Sequence, residues 1–164
     1  MGLLIKNTDF VGTYEVPQTM NSKLDSYIAR YETLYLKKIL GDALYTLFAA
    51  DVTNYVPVSA EYLAIYNALS VDYICDTYRS EGLKSVLLNL LTWEFCKDFP
   101  KVNSQVGQVV NSNENSIMTD NSRLYKVYND AVESIQAIQI YIYQNSADYP
   151  DFKGEKFKLN SPLF

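Results

Sequence analysis

The stretch from Ser80 to Phe99, SEGLKSVLLNLLTWEFCKDF, decides how the rest of the chain must be arranged. Leu83, Val86, Leu87, Leu90 and Leu91 recur at three- and four-residue steps, which stacks their side chains on one face of a helix. Leu88, Trp93, Phe95 and Phe99 widen that stripe around most of the circumference, as expected of a helix packed on several sides. The spacing predicts a central core helix, with Ser80 as its N-cap and Pro100 just past its end. Lys84, Glu94, Lys97 and Asp98 leave no apolar run near the ~20 residues that a membrane span needs.

Two further long helices flank it. Ser22-Lys23-Leu24-Asp25 reads as a capping box with Asp in place of Glu, opening a helix to Leu40 that Gly41 stops. Leu24, Tyr27, Ile28, Tyr31, Leu34 and Tyr35 form its stripe, and Leu36, Ile39 and Leu40 broaden it. Asp42 can cap a short helix carrying Leu44, Leu47 and Phe48. From Ser122 to Gln144, Leu124, Val127, Tyr128, Ala131, Ile135, Ile138 and Ile142 share one face.

The connecting segments are less regular. Residues 1 to 19 suit an extended arm with at most one helical turn, packed on its own domain or on a neighbour. Asp51 to Ser59 reads as loop, and Ala60 to Leu69 resumes helical spacing through Leu63, Ile65, Tyr66 and Leu69. Val71 to Arg79 fits a strand by alternation or the tail of a helix, and nothing local decides it. After Pro100 the chain turns polar and almost uncharged, with Glu114 the one charge between Val102 and Thr119 and a turn cluster at Asn111 to Asn115. This predicts a projecting hairpin or long loop near 101–120, with Val102, Val106, Val109, Val110, Ile117 and Met118 as candidate contacts to a neighbouring subunit.

Residues 146 to 164 lack helical periodicity and balance three acids, Asp148, Asp151 and Glu155, against Lys153, Lys156 and Lys158. Tyr149, Phe152, Phe157, Leu159, Leu163 and Phe164 make this end too apolar for a solvated terminus, so it is expected to dock, each residue in a separate pocket. The expected architecture is mainly α: a single-domain helical bundle over 1–145 with a hairpin-like insertion and an extended C-terminal docking tail over 146–164, dispensable to the bundle.

Composition narrows the function. A chain of 164 residues, 48% hydrophobic, can bury one substantial core. A net charge of -5 without clusters of Lys and Arg argues against a surface built to grip nucleic acid. The start MGLLIKNTD carries an early acid and too short an apolar run for a secretory signal, so cytosolic synthesis is expected. There is no histidine, and Cys75 and Cys96 stand apart without a metal-ligand spacing, so no metal or cofactor is expected. Fifteen tyrosines suit either an interface or a core with a wet edge.

No phosphate loop and no nucleophile turn is present. Glu32 and Glu94 beside apolar faces could in principle form an acid and base pair, but the expected reading is that each pairs with Arg30, Arg79 or Arg123 or simply reaches solvent, and no catalytic residue is assigned.

Tyr27-Ile28-Ala29-Arg30-Tyr31-Glu32, continuing through Leu36, Leu40-Gly41 and Leu44-Tyr45, resembles small proteins encoded among the head and neck genes of tailed bacteriophages. Ser80-Glu81-Gly82-Leu83-Lys84, Glu114-Asn115-Ser116, Ala137-Ile138-Gln139 and Tyr149-Pro150-Asp151-Phe152 extend the resemblance over most of the chain. The group is the head-to-tail connector, or adaptor, proteins. The resemblance implies a structural, non-enzymatic virion protein of the neck, made in the host bacterial cytoplasm, that forms a usually twelvefold ring under the portal. It implies contacts with the portal, with other neck or tail proteins and with genomic DNA passing through the lumen without sequence-specific binding, and none with a membrane. The apolar residues of the C-terminal segment are then the candidates for docking on the portal. A tail-completion or stopper protein of the same neck, or a small non-viral helical binding module, is the competing reading.

Overall fold

The computed structural model describes residues 2–14, 21–98, 102–104, 107–109 and 121–159. Its centre is α4 (Leu83–Asp98), which packs against α5 (Asn121–Gln144), α1 (Asn21–Leu40), α3 (Ala60–Tyr66) and a turn of 3-10 helix at Gly12–Tyr14. Neighbours on every side account for an apolar circumference: Leu83, Val86, Leu87, Leu88, Leu90, Leu91 and Phe95 are all buried. The helix begins two residues later than its sequence suggests. Ser80 ends a strand instead of capping, its hydroxyl accepting a 3.0 Å hydrogen bond from the Gly82 N–H, and the Gly82 carbonyl accepts the first helical bond, from Val86. Phe99 and Pro100 lie outside the described residues.

On α1, Leu24, Ile28, Tyr35, Leu36, Ile39 and Leu40 face the core, while Leu34 lies off it, 42% exposed. Gly41, at φ 86°, breaks the helix and turns the chain into α2 (Asp42–Asp51), where Leu44 and Phe48 are buried and Leu47 is exposed. A minimal hairpin, β1 (Val52–Thr53) with β2 (Val56–Pro57), leads to α3, which ends at Tyr66 and not at Leu69.

The ambiguous segment is a hairpin. β3 (Leu69–Tyr73) pairs antiparallel with β4 (Asp76–Ser80), Val71 opposite Tyr78 and Leu69 opposite Ser80. Side chains at alternate positions share a face, and this face, with Val71 and Ser80 buried, lies on α5. Ser70, Arg79, Asp72 and Thr77 take the opposite face, where Thr77 donates to Asp72 at 2.6 Å. Beyond α4, β5 (Val102–Ser104) and β6 (Gly107–Val109) pair antiparallel, both ahead of the Asn111–Asn115 cluster where the sequence predicts the turn, which lies outside the described residues. The result is a mainly α domain in which one apolar core joins α1 to α5 with both ends of the described chain.

Candidate functional site

The N-terminal arm resolves onto its own domain. Leu4 and Ile5 are fully buried, and the backbone N–H groups of Leu3, Leu4 and Ile5 donate to the Glu32 carboxylate at 2.6, 2.6 and 3.0 Å. Three donors on one carboxylate compensate for burying it without a cation. Desolvation still holds the Glu32 carboxyl above the usual range, the three N–H groups opposing the rise. Glu94 accepts from the Tyr35 hydroxyl at 2.5 Å and pairs with Lys97 at 2.7 Å. Burial, then the Glu94 bond, pushes the Tyr35 hydroxyl well above its ordinary value. Among the described residues neither carboxylate meets Arg30 or Arg79, Arg30 lying over the Tyr31 ring, and the side chain of the third expected partner, Arg123, lies outside them. Both carboxylates are engaged in holding the fold.

The C-terminal segment is held to the domain by its backbone. A helix leaves its last carbonyls without partners. On α1 they are satisfied from the far end of the chain: the Glu155 N–H donates to the Lys38 carbonyl at 2.6 Å and the Lys153 N–H to that of Leu40 at 3.3 Å. The Ile39 carbonyl accepts from the Gln139 side-chain amide at 3.1 Å, and the same nitrogen reaches the Glu155 carbonyl at 2.9 Å. The strands of backbone approach so closely that a Cβ on Gly41 would sit 2.8 Å from the Lys153 carbonyl carbon, and one on Gly154 would collide with the Ile39 carbonyl oxygen.

Residues 146–159 are therefore a strap on the domain, which corrects the expectation of a tail standing free of it. Tyr149 is 2% exposed, its hydroxyl donating to the Glu61 carbonyl and its ring lying 6.5 Å from both Tyr62 and Tyr141. Phe152 and Phe157 are half-buried, the latter 6.5 Å from Tyr35. The separate pockets expected for these rings exist, but on their own chain. Leu159 is exposed, and Leu163 and Phe164 fall outside the described residues. Of the loop candidates, Val102 and Val109 are register partners in the β5–β6 pairing, and Val106, Val110, Ile117 and Met118 fall outside the described residues.

Two surface features have no signature in the sequence. The turn of the β3–β4 hairpin projects Ile74, 86% exposed and at φ 60°, next to exposed Tyr73 and Cys75. At the base of the same hairpin a cleft of about 940 Å³ opens between Tyr14, Arg79, Glu81, Asn89 and the α5 residues Lys126, Asp130 and Glu133. Lys126 and Asp130 pair at 2.7 Å across its wall. Burial, then the Glu81 carboxylate, raises the Tyr14 hydroxyl above its ordinary value.

The chain matches no protein-family model, no curated protein and no solved structure.

Proposed function

We propose that this chain is a structural subunit of a bacteriophage head-to-tail connector, a ring, dodecameric by resemblance, that links the portal to the tail and leaves a channel for DNA. The observation that carries the reading is where its resembling residues sit: Glu32 clamps the N-terminal arm, and Leu40-Gly41 with Gln139 clamps the C-terminal strap. These resembling residues thus hold the N-terminal arm and the C-terminal strap on α1, which suits a rigid subunit whose shape is its function.

In this reading, portal contact falls to the end of the chain from Leu159 on. Tyr149 is consumed by the core, and Phe152 and Phe157 are half-covered by their own domain. The loop around β5 and β6 is the second proposed contact, toward a neighbouring subunit. Co-sedimentation of the full chain with purified portal particles tests the reading: saturable binding supports it, and no binding to portal or to tail components overturns it.

A further inference from the structure

We infer that the cleft at the base of the β3–β4 hairpin receives the C-terminal strap of a second copy of this chain, an asymmetric contact repeated from subunit to subunit. The closed ring in which it repeats rests on the connector reading; the contact itself rests on the charge and placement of the strap and the cleft.

From Lys153 to Lys158 the strap forms a fixed, locally basic ridge, although its three acids and three lysines balance over its whole length. Between Lys153 and Lys158 it carries three lysines against one glutamate, and all three lysines are exposed and outside any ion pair among the described residues. Its backbone is held on α1 at Lys153 and Glu155, so the ridge is in place before a partner arrives. The cleft has the opposite balance. Its charged walls are Glu81, Asp130 and Glu133 against Arg79 and Lys126, and with Lys126 bound to Asp130 its two remaining carboxylates have no ion pair among the described residues.

The two features also face apart. Gln139 ties the strap to α5, and at about 100° per residue it lies about 120–180° around that helix from Lys126, Asp130, Glu133 and Ser134. A ridge on one flank and a cleft on the other cannot satisfy each other within one chain. Nor does a two-fold dimer serve, since it would have to join ridge to cleft twice across one interface, and the two features lie on opposed flanks. A head-to-tail contact joins unlike charges at every junction, and such contacts generate rings when the rotation closes.

Sedimentation velocity of the full chain, across protein and salt concentrations, tests the contact. The variants are Lys153→Glu with Lys156→Glu on the ridge, Glu81→Lys with Glu133→Lys on the cleft, and all four together; every position is exposed, and circular dichroism checks the fold. Wild type should self-associate, less so in high salt. Either reversed pair should weaken association about tenfold or more, and the fourfold variant should recover it. A wild type that stays monomeric throughout, a reversed pair that associates normally, or a fourfold variant no better than the pairs overturns the contact. Co-sedimentation of the same proteins with portal and tail components separates the two readings: portal binding without self-association overturns the contact alone, and self-association without binding to portal or tail components overturns the connector reading alone.

Discussion

The side-chain nitrogen of Gln139 lies 3.1 Å from the carbonyl oxygen of Ile39, one hundred residues earlier in the chain, and 2.9 Å from that of Glu155. One amide thus joins α5, the end of α1 and the strap. Gln139→Ala removes both bonds and leaves the Ile39 carbonyl unsatisfied. The expected loss is about 1–3 kcal/mol of unfolding free energy, read from urea denaturation, with protease cleavage shifting toward residues 153–159. Unchanged stability would mean that the strap does not need this tie.

Tyr149 carries a second prediction. Tyr149→Ala opens a cavity among Tyr62 and Tyr141 and should cost about 3–5 kcal/mol, whereas Tyr149→Phe removes only the bond to the Glu61 carbonyl and should cost about 1 kcal/mol. Deleting residues 148–164 should be at least as damaging as Tyr149→Ala. A truncated chain with wild-type thermal stability would return the segment to the status of a free tail.

Glu32 gives a pH dependence. Its carboxyl is raised in the folded chain above the ordinary 4.5, so between that value and its folded value the native state holds a proton that the unfolded state has lost. Its contribution therefore becomes less favourable as pH rises through that window and more favourable as pH falls back through it. Glu32→Gln should be less stable than wild type at neutral pH, because an amide presents one acceptor oxygen to three N–H groups. The gap between the two should widen on acidification, as wild type alone regains the Glu32 contribution. A gap that narrows on acidification would contradict this assignment.

Ile74 sits in the left-handed region, where a β-branched side chain is strained. Ile74→Gly should relieve a strain of about 1–2 kcal/mol, partly offset by the greater freedom of glycine when unfolded, for a net gain of up to about 1 kcal/mol in thermal stability. A destabilised variant would show that the exposed side chain holds the turn.

The long helices were readable because their information is local: Leu83 to Leu91 and Ala131 to Ile142 repeat at the helical step, and the repeat survives whatever packs against it. Leu34 misled because it fits the apolar composition of α1 but stands off its buried face. The β3–β4 hairpin was undecidable since its alternation is decided by burial against α5, some sixty residues on. For Glu32 the sequence displays side chains, so arginines seemed the natural partners; the actual partners are backbone N–H groups 27 to 29 residues away. The strap has no period because each aromatic ring meets a different element, Tyr149 beside α3 and Phe157 beside α1, and an aperiodic segment built to pack on its own domain reads the same as one built to dock elsewhere. The cleft joins the arm, the hairpin and two helices, and no single stretch carries its signature.

The most direct test of the connector reading is cryo-electron microscopy of intact tailed-phage virions produced from a genome that carries this sequence. The expected result is ring density between portal and tail into which this mainly α subunit fits, with α4 at the centre of each copy and the chain end beyond Leu159 directed to the portal. A particle that lacks the protein, or holds it anywhere other than the neck, would contradict the connector reading.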